Sequence, residues 1–208
     1  MGVSTVVEAS AEADASACAD DALLQRVRDR DEAAFAELVR RHLGAVHTYL
    51  LRMTRSSADS EDLAQETFLR VWQKASAYKP GKVRATTWIH RIAHNLCVDG
   101  FRRDSAKGGH LVDSDLSNAG GGSDELADTG SDPFLQQSAT ETRSLLLATL
   151  SALPESQRAA FVLCQMQGFS NAQAADILRV DVRALESLLA RARRTLREAI
   201  SDGNEVNA

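Results

Sequence analysis

The chain has little cysteine, proline or aromatic residue: of 208 residues, 3 are Cys, 3 are Pro and 5% are aromatic. Cys18, Cys97 and Cys164 are odd in number and lack CxxC spacing. The pattern therefore indicates neither a disulfide framework nor a thiolate zinc site, and it fits a reducing cytoplasm. No apolar run approaches the ~18 residues of a membrane span, and residues 1–19 lack the Lys or Arg of a secretory signal. We therefore expect a soluble, cytoplasmic protein.

Side chains that could carry catalysis or bind a metal do not cluster convincingly. His90, His94 and Cys97 lie at i, i+4 and i+7, but no fourth metal ligand accompanies them. Cys164 lies among apolar residues with no base beside it, as a core cysteine does. The glycines at 120–122 lack a following GKS/T, which indicates a linker and not a phosphate-binding loop. We expect no metal, no cofactor, no small-molecule substrate and no enzymatic activity.

Charge is distributed unevenly along the chain. The net charge is -5, which argues against a generic nucleic-acid coat. Residues 84–107 nevertheless hold five Lys or Arg against two acids, whereas residues 108–142 hold seven acids and no Lys or Arg. This asymmetry indicates a chain that contacts DNA in one place and avoids or imitates it in another.

Hydrophobic residues make up 44% of the chain, enough for the cores of one or two domains. Their spacing is helical and never alternates with period two, so we expect an all-α protein. In the first half the pattern predicts a bundle of about four helices. These are a short helix around Leu23, a longer one capped by Asp31, a third over Glu61–Ala75 capped by Ser60, and a fourth over Thr87–Arg103.

The predicted fourth helix has two different faces. Ile89, Ala93 and Leu96 belong to an apolar stripe at helical spacing. The opposite side carries donors that could meet phosphates and base edges, namely His90, Arg91, His94, Asn95, Arg102 and Arg103. A mixed polar face is also typical of a helix that is only solvated, so this segment alone leaves both interpretations open.

The composition changes in the middle of the chain, where Gly, Ser, Asp and Asn replace both periodic patterns and indicate a flexible acidic linker. Helical spacing returns near Gln136 and breaks at Pro154, and Glu155–Gln167 is a further predicted helix. We expect two small helical domains with these boundaries: a disordered leader at 1–19, a helical bundle at 20–107, a linker at 108–135, a second domain at 136–202 and a disordered tail at 203–208.

The second domain has the outline of a helix-turn-helix. Ser170 and Gln173 form a capping box for a short helix, and Asp181 caps a long helix from Val182 to about Ile200. In such a motif the second helix enters the major groove. Its predicted outward side carries Arg183, Ser187, Arg191, Arg194 and Arg197.

Three motifs in order resemble the small, two-domain extracytoplasmic-function sigma factors of bacterial RNA polymerase, within the sigma-70 family. Residues 58–72 (ADSEDLAQETFLRVW) resemble the family's core-polymerase-binding helix. Residues 87–103, with Trp88 and Asn95, resemble its -10 promoter helix. Leu153-Pro154-Glu155 with Arg158, followed by Gly168-Phe169-Ser170, resembles the start of its -35-binding domain. The resemblance covers roughly residues 21–200 and is specific because the order is kept.

Two positions depart from the family's pattern. Ala85 stands where members often carry Phe, so one apolar anchor beside the -10 loop is missing. The recognition helix usually opens with a Gly-Thr-Val-Lys-Ser-Arg type of sequence and here reads Arg-Ala-Leu-Glu-Ser-Leu over residues 183–188. An acid thus replaces a Lys and a Leu replaces an Arg, which questions the usual -35 sequence but not the fold.

The resemblance implies three binding surfaces. The first surface would dock on the clamp helices of the largest subunit of core polymerase, and its implied residues are Asp62, Gln65, Glu66 and Arg70. For a -10 base flipped out of the stack and its flanking DNA, it implies the loop from Tyr78 to Arg84 and the helix after it, with Lys82, Arg84, Trp88, His90, Arg91, His94, Asn95, Arg102 and Arg103. For the -35 element it implies Arg183, Glu186, Ser187, Arg191, Arg194 and Arg197.

The implied function is that of an alternative sigma factor, which binds core polymerase, recognises promoter DNA and promotes melting. The family also implies control by an anti-sigma factor, which can be membrane-bound. The acidic linker has two interpretations, a segment that occupies a nucleic-acid path until RNA displaces it and a solvated tether. A free-standing helix-turn-helix regulator is the alternative function, and it would need neither the polymerase-binding helix nor the unit around Asn95.

Overall fold

The computed structural model describes residues 19–106, 149–150 and 152–205, although the side chains of residues 200–205 are not among those described. The expectations for the acidic linker, for most of the leader and for the end of the tail lie outside these residues. Ala19, assigned above to the leader, is already helical. Within the described ranges the secondary structure consists of helices and turns without a strand, which confirms the all-α expectation.

The first half is a bundle of four helices. They are α1 at residues 19–28, α2 at Glu32–Thr54, α3 at Ser57–Lys74 with a 3-10 turn at Ala75–Ala77, and α4 at Ala85–Ala106. Asp31 caps α2 as predicted, because its Oδ1 accepts a hydrogen bond from the Ala34 amide at 2.9 Å. The helix ends at Arg55, whose positive φ of 63° closes the last turn.

The predicted start of α3 was wrong. Ser56 is its N-cap, since the Ser56 hydroxyl accepts from the Asp59 amide at 3.2 Å. Ser60 lies inside the helix, where its hydroxyl donates to the Ser57 carbonyl at 2.8 Å. Both serines lie within one turn of each other ahead of the same apolar pattern, so the spacing of the apolar residues that follow did not distinguish them.

The second half begins with a helical segment at 149–150 and continues in three helices. They are α5 at Glu155–Phe161, which runs on as a π-helical turn at Val162–Met166, then α6 at Asn171–Leu178 and α7 at Val182–Glu205. The capping box of Ser170 and Gln173 is confirmed. Asp181 caps α7 as predicted, since its Oδ1 accepts from the Ala184 amide at 2.7 Å. Short α6, a turn at left-handed Arg179 and long α7 form the predicted helix-turn-helix.

The two halves pack against each other. Buried residues of α2, α3 and α4 form one continuous apolar cluster with those of α5, α6 and α7, among them Ile89, Ala93, Leu163 and Ile177. α4 packs against α6. Two side chains of the second half reach the backbone of α2, because the Arg158 guanidinium donates to the Met53 carbonyl at 2.9 Å and the Gln167 amide donates to the Ala45 carbonyl at 3.1 Å.

Candidate nucleic-acid interface

The outward face of α3 carries the four side chains predicted to bind polymerase. Asp62 and Gln65 are exposed, while Glu66 and Arg70 are half-buried and form an ion pair at 2.7 Å. Leu69 lies in the same turn and is 49% exposed, which is unusual for a large apolar side chain. The sequence analysis missed Leu69, although an apolar residue three positions after Glu66 on a polar face could have indicated it.

The loop between α3 and α4 presents cations to solvent. Lys82 and Arg84, two of the residues predicted to bind the -10 element, are both exposed. The Lys82 amide donates to the Lys79 carbonyl at 3.3 Å, and Gly81 has a φ of 78° that side-chain-bearing residues rarely adopt. The loop is therefore a defined turn that directs its basic residues outward.

Trp88 does not lie on the open surface with the loop cations. Its ring is only 7% exposed and lies 5.4 Å from the ring of Tyr78, with the planes tilted by 57°. In this arrangement Trp88 supports the loop from beneath. Tyr78 was named above only as the start of the loop, and the contacts of its ring and hydroxyl were not predicted.

The expectation that His90 and His94 lie on an exposed polar face of α4 was wrong. His90 is 2% exposed and its ring packs edge-on against Phe169 of the second half, with ring centroids 4.8 Å apart. His94 is half-buried, and its Nδ1 is hydrogen-bonded to the Tyr49 hydroxyl at 2.9 Å. The packing of α6 against α4 covers these side chains. Their contact with DNA stays a prediction.

Burial changes the proton affinity of both histidines. It lowers the pKa of His90 to about 4, although the hydrogen bond from Nδ1 to the Thr86 carbonyl acts in the opposite direction. Burial also lowers the pKa of His94 to about 4, and the positive charge of Arg179 lowers it further. Both imidazoles are therefore neutral at pH 7. The Nε2 of His90 is buried and has no hydrogen-bond partner among the described residues.

The other donors of α4 remain closer to solvent. Arg91 and Asn95 are half-buried, and Arg102 and Arg103 are exposed. The Arg103 guanidinium donates to the Asp99 carbonyl at 3.2 Å. Near the end of the helix a cleft of about 450 Å³ separates α4 from the start of α5, lined by Val98, Phe101, Arg102, Ser105, Glu155 and Ser156. Burial raises the pKa of Glu155, and this effect outweighs the positive charges of Arg158 and Arg102, which lower it.

α7 presents all six residues predicted for -35 binding on its exposed surface. These are Arg183, Glu186, Ser187, Arg191, Arg194 and Arg197. The inward side of the helix buries Leu185, Leu189, Ala192 and Leu196, as the apolar spacing predicted. The Ser187 hydroxyl donates to the Arg183 carbonyl at 3.0 Å, which leaves its oxygen free to accept. The geometry is that of a helix whose basic side can enter a groove.

The thiols and possible metal ligands form no reactive site in the described part of the chain. Burial raises the pKa of Cys97 to about 12 and also raises the pKa of Cys164, so both thiols are protonated at neutral pH. No group of three His, Cys, Asp or Glu residues within the described ranges could hold a metal ion. Likewise, none of the helices described combines the length and apolar character needed to cross a bilayer.

Two family models match the chain: Sigma-70 region 2 at residues 38–107 and Sigma-70, region 4 at residues 143–196. The chain is 32% identical over 183 residues to the ECF RNA polymerase sigma factor SigE of Mycolicibacterium smegmatis, covering 86% of this chain and 67% of that protein. It is 30% identical over 180 residues to the ECF RNA polymerase sigma factor SigK of Mycobacterium tuberculosis, covering 86% and 92%.

Solved structures share the fold. CnrH in complex with the cytosolic domain of CnrY matches with a TM-score of 0.64 and 23% identity, over 88% of this chain and 98% of that one. The sigma factor RpoE in complex with the anti-sigma factor NepR from Bartonella quintana matches with a TM-score of 0.60 and 22% identity, over 80% and 96%.

Proposed function

The chain belongs to the ECF sigma factors of the sigma-70 family, and we propose that the α3 face binds core RNA polymerase, that the loop and α4 bind the -10 element, and that α7 binds the -35 element. Because regions 2 and 4 are both present, the protein is an alternative sigma factor for transcription initiation and not a free-standing regulator. Its family consists of DNA-binding initiation factors, and we place its action in the cytoplasm, where bacterial polymerase transcribes.

The observation that carries the proposal is the pairing of two different surfaces on adjacent elements. α3 turns Asp62, Glu66 and the exposed apolar Leu69 outward, a combination of charge and apolar area suited to a protein partner. The loop that follows turns Lys82 and Arg84 outward, a combination suited to phosphates. A protein that only occupies an operator needs the second surface and not the first.

The -10 surface would act by capturing a base outside the stack. Extruding a base costs a few kcal/mol, which contacts to the extruded base must offset. Asn95 can donate and accept from one amide, so it suits a base edge, whereas Arg102 and Arg103 suit the backbone. His90 and His94 would reach DNA only after the second half moves away from α4, because Phe169 and α6 cover this part of the helix.

We also propose an anti-sigma factor as a partner, which can be membrane-bound. RpoE from Bartonella quintana was solved with the anti-sigma factor NepR, and CnrH with the cytosolic domain of CnrY. A partner that covers the α3 face or keeps the two halves packed would prevent promoter binding. The chemistry of the exposed α3 face, acidic with Leu69 in the same turn, suits a partner segment that is basic and apolar.

A charge-reversal experiment tests the polymerase surface. Asp62→Lys combined with Glu66→Lys should weaken association with core polymerase by at least about tenfold, because charged pairs at an interface contribute on the order of 1.5 kcal/mol or more each. A titration at fixed salt measures this, and helical content by circular dichroism should stay unchanged. The control, Asp29→Lys with Glu32→Lys, makes the same charge change at exposed positions outside α3. Equal affinities for the two double variants would refute the assignment.

A further inference from the structure

We propose that Tyr78 and Asp21 fix the conformation of the loop at 79–84 and thereby set its discrimination among -10 sequences. This inference rests on the proposed role of that loop in -10 binding. The three groups involved, the Tyr78 hydroxyl, the Asp21 carboxylate and the Val83 carbonyl, are called the Tyr78 brace below. Tyr78 and Asp21 are positioning residues in this proposal, because the basic side chains of the loop would make the contacts to DNA.

The Tyr78 brace closes the loop at both ends. Tyr78 precedes the first residue of the loop, and its hydroxyl reaches the carbonyl of Val83 at 2.9 Å, five positions later. Between these ends the chain turns at Gly81, with the Lys82 amide bonded to the Lys79 carbonyl. One side chain therefore links the entry of the turn to its exit, which lowers the number of conformations that the loop can adopt.

The hydroxyl is positioned by a carboxylate from a distant part of the chain. It also bonds to Asp21 Oδ1 of α1 at 2.5 Å, so its single proton lies between two acceptors. Burial raises the pKa of Tyr78, and the nearby Asp21 carboxylate raises it further, so the phenol stays a neutral donor. The bond to the charged Asp21 carboxylate anchors the phenol oxygen to α1, so the loop is tied to α1 through Tyr78.

Asp21 is in turn held in place because α1 is tied to the bundle. The carboxylate of the preceding residue, Asp20, is buried and lies 3.0 Å from the side-chain nitrogens of Arg41 and His42 of α2. Burial by itself would raise the pKa of Asp20, but these two partners outweigh it and lower the pKa. Consecutive helical residues point about 100° apart, so Asp20 can contact α2 while Asp21 contacts the loop. Arg30, after α1, donates to the Trp72 carbonyl of α3 at 3.4 Å.

The position of Val83 matters because it lies between the two exposed cations. A shift of its carbonyl would move Lys82 and Arg84 together, and binding groups must be held within about 0.5 Å of the productive geometry to keep their selectivity. The Tyr78 ring is separately fixed by its contact with Trp88 at 5.4 Å. Removing only the hydroxyl therefore keeps the buried ring and releases the loop.

Transcription from a promoter pool tests the brace. Full-length wild-type and variant chains are assembled with core RNA polymerase and given promoters with a randomised -10 element and a fixed -35 element selected by the wild type. Tyr78→Phe and Asp21→Ala should each reduce the enrichment of preferred over neighbouring -10 sequences about fivefold, the factor that one net hydrogen bond provides. Asp21→Asn should retain most of it, because its amide oxygen still accepts from the phenol.

A purely structural role predicts a different result. Val46→Ala serves as the control, because it removes buried volume from α2 without touching the brace. If the brace only stabilises the fold, then Tyr78→Phe, Asp21→Ala and Val46→Ala would lower total transcription and leave the -10 preference unchanged, and the proposal would be wrong. If Tyr78→Phe fails to fold, the result for Asp21→Ala tests the proposal, because the side chain of Asp21 is only half-buried and its loss should disturb the fold less.

The same pool separates this proposal from the proposed function. A wild-type holoenzyme with no -10 preference, or a Lys82→Ala/Arg84→Ala variant with the wild-type preference, would refute -10 reading by the loop and the brace with it. A normal wild-type preference that Lys82→Ala/Arg84→Ala alters and Tyr78→Phe does not alter would refute the brace alone.

Discussion

His90 links proton binding to the packing of the two halves. It is neutral in the fold because burial lowers its pKa to about 4, whereas the unfolded chain has an ordinary value near 6.5. Between these values the unfolded state binds more protons than the folded state, so stability falls as the pH falls. Above about pH 6.5 both states are neutral and the effect disappears. The added proton would have to be accommodated at Nε2, which is buried and has no hydrogen-bond partner within the described ranges.

We therefore expect the free energy of unfolding to be lower at pH 5 than at pH 7, with His90 accounting for about 2 kcal/mol of the difference. Urea denaturation at the two pH values measures it. His90→Phe keeps an aromatic ring against Phe169 and cannot take up a proton, so its pH dependence should be smaller by that amount. His94 adds a similar contribution that both proteins share. An identical pH dependence in wild type and His90→Phe would exclude His90 as the titrating group.

Asn95 is the residue on α4 best suited to a base edge. Asn95→Ala should impair promoter melting, because the alanine keeps the helix and removes both the donor and the acceptor. Arg102→Ala is the matched comparison on the same helix, and it should weaken binding to all sequences alike and lower the salt dependence. Permanganate footprinting of unpaired thymines measures melting. Normal promoter melting by the holoenzyme with Asn95→Ala would show that Asn95 does not contact a base.

At the scale of helices, α7, the proposed -35 helix, carries a basic outer side but an acid near its N-terminus, where base contacts are expected. Residues 181–198 carry five Arg against three acids, so attraction to phosphate is retained. Base contacts come from the N-terminal part of such a helix, where Glu186 is exposed. A carboxylate cannot donate to guanine as a Lys can, but it can accept from a cytosine amino group. The preferred -35 sequence should therefore differ from that of relatives with Lys.

Glu186→Lys should shift or broaden the preferred -35 sequence by roughly 1 to 3 kcal/mol per altered base contact, whereas Arg191→Ala should lower affinity for all sequences alike. Binding selections on DNA with a randomised -35 element measure both effects. Identical selected motifs for wild type and Glu186→Lys would mean that Glu186 is only solvated or paired within α7. Arg183 and Ser187 would then remain the candidates for base contact.

Helix boundaries followed from the sequence wherever one polar residue was the evident cap. Asp31, Asp181 and the pair of Ser170 and Gln173 were identified because each directly precedes a helical apolar pattern and supplies a side-chain acceptor. The prediction that Ser60 caps α3 was wrong because Ser56 offers the same side-chain acceptor one turn earlier. The π-helical turn at Val162–Met166 was not predicted, since it depends on packing and leaves no pattern in the sequence.

Contacts between distant segments could not be read from the sequence. Helical spacing identifies which side of α4 is apolar, but it does not say that Phe169 would cover His90 on another side. The bond from Tyr78 to Asp21 joins residues 57 positions apart, and neither residue type is diagnostic alone. The exposure of all six predicted α7 residues, in contrast, followed from the position of the leucines between them.

At the scale of the whole molecule, the two packed halves are too small to span the distance between the -10 and -35 elements. Elements centred near -10 and -35 lie about 25 base pairs apart, or roughly 85 Å at about 3.4 Å per pair. A compact body of the size of the described residues has a diameter of only about 40 Å. With α4 in contact with α6, the two proposed DNA-binding surfaces cannot reach both elements at once. If α4 binds the -10 element and α7 the -35 element, as proposed, initiation requires the second half to separate from α2 and α4.

We expect this separation to occur on binding to core polymerase and promoter DNA. Fluorophores at the exposed residues Gln25 of α1 and Ala172 of α6 should report a distance within about 40 Å in the free chain and beyond about 70 Å in the promoter complex. Phe169→Ala removes the ring that covers His90 and should raise the fraction of separated molecules in the free chain. Arg193→Ala, at an exposed position of α7, is the control and should leave that fraction unchanged. A transcribing complex in which the two labels stayed as close as in the free chain would contradict the assignment of α4 to the -10 element and α7 to the -35 element, because no packed chain of this size could span both.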